Sequence, residues 1–354
     1  MTGNLIIPDS VTEIGRGAFF GCKKLGPEFH LSSGLTVIEE LSFTRCYGLK
    51  GDLIIPSGVT SIGANAFDEC ENFNGRLVLP DGLKKIEGGA FHLCEKLTGD
   101  LHIPDSVEEL GGGTFSGCKG FNGTLSIPKG LTTIGSGTFG HCENLHGHLV
   151  LPEGVTLIGS WAFADCKNLT GELNLPQGLK EIDNNAFARC AGLTGDLRIP
   201  DSVEVIEYRA FMQCSGFTGK LYLPKQLQRI DYETFYGGGY NGKVEIPEGV
   251  SFVGYGAFAK CTRLSDIYFL GNAPEIPKSG KVGRYEGSNS FPNRSTLHYL
   301  EGKTGWKDSE FYDWEALTWN GYALALWDRQ AVEIRQADQE SVTLQVLNKE
   351  EAYV

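Results

Sequence analysis

Ten cysteines are the side chains of this 354-residue chain best suited to chemistry, and their spacing is regular. Cys22, Cys46, Cys70, Cys94, Cys118, Cys142, Cys166, Cys190 and Cys214 follow one another at 24-residue steps, and Cys261 comes last. Thiols can form disulfides, bind metals or act as nucleophiles. Equivalent residues of stacked units, however, point the same way about 4.8 Å apart. A disulfide wants Cβ atoms about 3.8 Å apart in a bent geometry. The spacing therefore predicts a ladder of free, buried thiols used as small apolar residues. The run His141-Cys142-Glu143-Asn144-Leu145-His146-Gly147-His148 also crowds metal-binding residue types together. Zinc needs three or four of them converging on one point. Cys142 belongs to the inward ladder and His148 to the outside of a strand, so neither a metal nor any other cofactor is expected. The carboxylates show no recurring pair. A glycosidase needs two, about 5–10 Å apart across a cleft, which a repetitive face could host. No nucleophile elbow, phosphate-binding glycine loop or H-E-x-x-H motif is present.

The elements that would position these residues share the same period. Phe19 to Phe235 recur every 24 residues and Phe258 follows one residue early; proline recurs at Pro8, from Pro56 to Pro224 and at Pro247, with Ser32 once in its place. Glycine keeps step from Gly51 to Gly219 and at Gly242. A unit starting at Cys166 reads C-x-x-L-x-G-x-L-x-L-P-x-G-L-x-x-I-x-x-x-A-F. Leu173 and Leu175 alternate as in a strand with one face buried. The proline after them lacks an N–H and ends the strand. The glycine ahead of them permits a turn conformation closed to other residues. Leu179, Ile182, Phe187, Cys190 and Leu193 complete an inward set too small to enclose a core within one unit. Stacked neighbours can do so, which makes the array one domain whatever its length. Glycines such as Gly15, Gly17 and Gly111 to Gly113 stand against a helix after the isoleucine, each costing about 1 kcal/mol there. Short extended or 3₁₀ pieces are expected, with at most one helical turn around Ala-Phe.

The pattern C-x-x-L…L-x-I-P-x-x-V-x-x-I-x-x-x-A-F-x-x-C, seen in Leu101-His102-Ile103-Pro104-Asp105-Ser106-Val107 and in Ile206 to Phe211, resembles the BspA-like leucine-rich repeats of bacterial surface proteins. The likeness runs over residues 4–270, although most units carry one residue more than the family's 23, the recurring glycine. The fold class expected is a β-rich leucine-rich-repeat solenoid of eleven coils of 23–24 residues. It has a parallel sheet on one face and short extended or 3₁₀ segments on the other. The resemblance implies a bacterial surface or secreted protein that adheres to host or microbial macromolecules.

The net charge of −13 disfavours nucleic acid and anionic membranes as partners. No apolar run reaches the roughly 18 residues of a membrane-spanning helix. The first residues lack the basic and apolar regions of a signal peptide. They begin inside a repeat, so the expected location, extracellular or at the cell surface, supposes a leader lost upstream. After Ile267-Tyr268-Phe269 the period stops. The division expected is a solenoid over 1–270, an aromatic cap over 271–320 containing Trp306, Trp314 and Trp319, and a β-hairpin tail over 321–354. The tail, with alternation at Ala331 to Ile334 and Val342 to Val346, is either part of the cap or the start of a further domain.

Outward strand positions vary in type while inward ones stay fixed, so packing does not dictate them. The candidates for binding are Asp196, Arg198, Lys220, Tyr222, Lys243, Glu245 and Tyr268 near the C-terminal end, with His102, His148 and Asn174 elsewhere on the face. Tyr and Arg are frequent anchors of interfaces. A long flat face suits a protein or polysaccharide better than a small metabolite. The function expected is non-enzymatic adhesion by a monomer. Two alternatives stay open: a structural spacer that displays another domain, and a carbohydrate-active enzyme or its accessory, with a site at the cap.

Overall fold

A computed structural model describes residues 2–277, 290–307 and 322–327, together with the backbone of 312–313 and 318–319. Trp314 and the alternating segments after residue 330 lie outside the described residues. The chain winds as a parallel β-solenoid of about 12 coils, with no helix among the described residues. The single helical turn allowed for around Ala-Phe is therefore not formed.

Each coil makes a short outward-facing strand, turns at the proline, adds a two-residue strand on a second face, and closes through the Ala-Phe segment. On the second face Val37–Ile38, Ser61–Ile62, Lys85–Ile86 and Glu109–Leu110 pair in parallel, and Thr133–Ile134 to Val205–Ile206 continue the pattern. The Ala-Phe segment is a turn of an unusual kind. Eleven coils place two residues four apart in the left-handed region, from Gly17 and Gly21 to Gly256 and Lys260, at φ of 52–75°. Left-handed backbone costs a non-glycine residue about 1–2 kcal/mol, and Gly17 and Gly113, two of the glycines that stood against a helix, fill such sites without that cost, whereas Gly15, Gly111 and Gly112 are not left-handed. With the peptides tipped this way, the N–H groups of residues 17, 19 and 21 donate to the carbonyls of 40, 42 and 44 in the next coil. The same three bonds recur at ten successive junctions. Those of 18, 20 and 22 donate back within the turn, to carbonyls three residues earlier.

Inside the coils the phenylalanines form one continuous stack. Rings from Phe19 to Phe258 lie 5.2–6.0 Å apart and within 19° of parallel. Phe291 extends the stack by another ring, 5.8 Å from Phe258, although 33 residues separate the two in sequence. The cysteines sit beside the stack and have a specific role. From Cys46 onward each thiol donates to the carbonyl of the phenylalanine one coil earlier, at 3.0–3.2 Å. That carbonyl also accepts the N–H of the residue three after it, a cysteine in every case except Phe235, where it is Gly238. Thiol is small enough for the core and still satisfies the second lone pair.

All ten cysteines are free, and only Cys22, in the first coil, is not buried. Burial pushes the thiols of Cys46, Cys118, Cys214 and Cys261 up to about 12, and those of Cys70, Cys94, Cys142, Cys166 and Cys190 well above the usual range. Because thiolate is the reactive form, an aromatic disulfide reagent should label Cys22 rapidly in native protein and the other nine only after denaturant is added. Fast release of more than one equivalent from folded protein would contradict the ladder.

The outward sheet is not uniform: between Asp52 and Lys220 it closes where an aspartate stands, whereas Gly242–Ile246 pairs with Leu264–Phe269 without one. Asp52, Asp100 and Asp196 each accept the N–H of the residue 24 later, Arg76, Thr124 and Lys220, at 2.6–2.8 Å. At these junctions the strands pair in full, with Leu53, Leu101 and Leu197 donating to the carbonyls of the same three residues. Where Arg76, Thr124, His148, Glu172 or Lys220 holds the aspartate's place, the bonds shift upstream to the glycine segment. Thr98 donates to Gly75, His146 to Gly123 and Asn241 to Gly219. The leucine N–H groups that would form the closed ladder, such as those of Leu77 and Leu221, then have no partner among the described residues. The recurring glycine has two explanations to match. Gly51, Gly99, Gly147, Gly171, Gly195 and Gly242 are left-handed, as expected from sequence. Gly75, Gly123 and Gly219 are not; there a Cβ would lie 2.1–2.3 Å from the carboxylate of Asp52, Asp100 or Asp196.

Parallel stacking runs on past residue 270. Gly242–Ile246, Leu264–Phe269, Thr296–Leu300 and Tyr322–Trp327 pair in that order, and the last of these also pairs antiparallel with Thr318–Trp319. Trp306 is buried, 4.8 Å from the Phe269 ring and 5.7 Å from that of Tyr299.

Candidate functional site

Alternation along the last strands brings one outward column together from separate coils. Arg198 pairs with Tyr222, Glu245 with Tyr268, and Tyr268 with His298. The Arg198 guanidinium lies over the Tyr222 ring, 3.9 Å from its centre, and donates to Asp196 at 2.5 Å. The Lys220 N–H above all, with Arg198 in support, holds the Asp196 carboxyl below its ordinary range. Lys243 stands 3.5 Å from Glu245 and 5.3 Å from the centre of the Tyr268 ring. Tyr268 stacks on His298 at 4.2 Å, meets the edge of Trp327 at 4.8 Å, and so closes the row with aromatic rings. Asp266 is 2.7 Å from the His298 ring nitrogen. Partial burial pushes Asp266 up, but Ser265 and His298 outweigh it and hold the carboxyl low.

Between the Leu221–Tyr222 and Gly242–Ile246 strands lies a groove of about 570 Å³. It sits at an open junction, where Lys220 occupies the aspartate position and offers no acceptor for an N–H. Lys220, Tyr222, Lys225, Lys243 and Glu245 contribute to its walls. Lys225 pairs with Asp201 at 3.0 Å. The exposed Lys220 ammonium has no ion pair among the described residues.

Seven of the ten candidate residues thus meet at one end of the face: Asp196, Arg198, Lys220, Tyr222, Lys243, Glu245 and Tyr268. His102, His148 and Asn174 are exposed on the same face but in earlier coils, outside this group. His298, Trp327 and Lys225 join the site without having been picked out from sequence. The strand alternation of Thr296-Leu297-His298-Tyr299-Leu300 is the one signal that could have found His298. The histidine-rich run does not converge: the Cys142 thiol points inward to Phe115, His141 pairs with Asp165 on the turn face, and His148 packs over Gly171 on the sheet. On the second face, partial burial and then the Asp183 carboxylate push Glu181 up.

The family model described as "BspA type Leucine rich repeat region (6 copies)" matches residues 2–122, 75–194 and 180–280. A leucine-rich repeat protein from Bacteroides ovatus ATCC 8483 is similar in structure, with a TM-score of 0.64 at 23% identity over 92% of this chain and 84% of that one. A leucine rich cell surface protein from Faecalibacterium prausnitzii A2-165 gives 0.50 at 24% identity, over 90% of this chain and 84% of its own. The pneumococcal vaccine antigen PcpA gives 0.50 at 17% identity, over 96% and 77%. At these identities the likeness bears on the fold. A comparison with curated proteins finds no match.

Proposed function

The chain belongs to the BspA-type leucine-rich-repeat family, and from that premise we propose that it is a binding module of a bacterial surface, holding a macromolecule on the C-terminal part of its sheet face. It performs no reaction of its own in this reading. The observation that carries it is the row Arg198, Tyr222, Lys243, Tyr268 and His298, in which cations and rings are already stacked on one another before any ligand arrives. Side chains held in this way lose little freedom on binding, and loss of freedom is a main cost of association. Tyr222 stays 37% exposed beside the groove, so it remains available for contact. A surface location agrees with the name of the Faecalibacterium neighbour, a leucine rich cell surface protein.

The test is a screen of the purified chain against immobilised matrix proteins and glycans, beside a variant with Arg198→Ala and Tyr222→Ala. Saturable binding that weakens about 30-fold or more in the variant, the equivalent of about 2 kcal/mol, is the expected result. The melting curve should not move, since both side chains are outside the core. Binding that the variant retains in full would remove this face from consideration and favour a spacer.

A further inference from the structure

The groove between the Leu221–Tyr222 and Gly242–Ile246 strands points to a narrower class of ligand, and the inference rests on the binding reading above. We infer that it receives a carboxylated sugar unit of a surface glycan. Four features of the groove select that chemistry.

The first is charge. The protein carries a net −13, yet Lys220, Lys225 and Lys243 all border this one depression. A local positive site on an acidic protein draws anions against the general field. The acidic groups nearby are already engaged, Glu245 by Lys243 and Glu248 by Lys303 at 2.7 Å. Lys220 makes no direct ion pair among the described residues, and Asp196, the carboxylate that feels its charge, is held by Arg198. The second is an excess of donors. The junction is open, so the N–H groups of Leu221 and Leu223 have no partner among the described residues, whereas Leu197 and Ile199 one coil earlier donate to Lys220 and Tyr222. A ligand rich in oxygen acceptors satisfies unpaired N–H groups and an ammonium together.

The third is size. About 570 Å³ falls within the usual range of small-ligand sites, roughly 300–1,000 Å³, and suits one or two sugar rings. A protein's side chains would more naturally lie across the flat remainder of the face. The fourth is the aromatic wall. Arg198 covers Tyr222 from the preceding coil, on the side away from the groove. The side toward Lys243 is left for the C–H face of a pyranose. A carboxylated sugar supplies an anion, several acceptors and an apolar ring face in one unit. An acidic peptide supplies the anion but no such ring face.

The experiment is calorimetric titration of the full chain with trigalacturonate and with sialyllactose, the two sources of a sugar carboxylate. Maltotriose and lactose serve as neutral counterparts, and hexaglutamate as the peptide control. The expected result is at least one acidic sugar bound tenfold or more tighter than its neutral counterpart and than hexaglutamate. Whichever source binds identifies the sugar. Lys220→Met should weaken that binding about tenfold without altering the melting curve. Lys129→Met, the same charge change at an exposed position far from the groove, should leave it intact. Equal binding of acidic and neutral sugars, equal binding of hexaglutamate, or indifference to Lys220→Met would each overturn the inference. If no sugar binds while the Arg198 and Tyr222 variant still loses a protein ligand in the screen, the binding module stands and the sugar site falls.

Discussion

Phe139→Ala is expected to destabilise the solenoid by about 3–5 kcal/mol, as removal of a fully buried ring does elsewhere. Phe139 is 0% exposed and stacks on Phe115 at 6.0 Å and on Phe163 at 5.4 Å. Its loss removes the transfer energy of the ring and two stacking contacts, and it leaves a hole that the closed turn on that side cannot fill. Because each coil touches only its neighbours, stability is a sum of coil and interface terms. The damage should therefore be local first: urea unfolding would show a broadened or split transition, with exchange accelerated in the coils around residue 139. Phe19→Ala makes the comparison, since its ring is only partly buried and stacks on Phe43 alone along the ladder; it should cost markedly less. Equal costs for the two would mean that stacking depth contributes little.

Lys220→Asp is expected to close the groove. In the closed junctions a carboxylate at this place accepts the N–H of the next coil, and the adjoining leucines then pair forward. An aspartate at 220 would present the same acceptor to the Lys243 N–H, and Gly242 is free to leave its left-handed state. Hydrogen exchange reads the outcome: the Leu221 and Leu223 amides, which have no partner among the described residues, should slow about 100-fold on gaining a ladder bond. Asp196→Ala should do the reverse at Leu197 and Ile199. Unchanged exchange in both variants would separate the aspartate from the pairing it accompanies.

These two positions also mark how far the sequence could be read. The ladder of Phe139 and its equivalents was plain from spacing alone, because a residue that must occupy the same point of every coil returns at the coil length. Outward Tyr222 and Arg198 were plain too, since alternation within a strand assigns them a side. The groove was not. Open and closed junctions share the same L-x-L pattern, and between Asp52 and Lys220 the closed ones are those where a side chain 24 residues away accepts a hydrogen bond, as Asp196 does and Lys220 does not. Phe291 was hidden for another reason: residues between the strands at Leu264–Phe269 and Thr296–Leu300 lengthen that coil, so the period stops while the packing continues. The thiols were read correctly as buried and free, but their bonds to the phenylalanine carbonyls depend on a contact between coils that spacing does not reveal.

The turn face has a consequence for what reaches the site. At ten junctions in succession three N–H groups point from one coil toward the next, and none of these bonds runs the other way. In the parallel strands the directions alternate, and on the second face and in the glycine segment N–H groups such as those of Thr60, Gly63 and Gly75 point back toward the preceding coil. On the turn face the peptides line up, each with a moment of about 3.5 D, so that face taken by itself resembles a bar with opposite electrical poles. Amide hydrogens face its C-terminal end and carbonyl oxygens its N-terminal end. The positive pole of the turn face lies toward the end that carries Lys220, Lys225 and Lys243, so these peptides add to the attraction of an anion there, even along a protein whose side chains are acidic in sum.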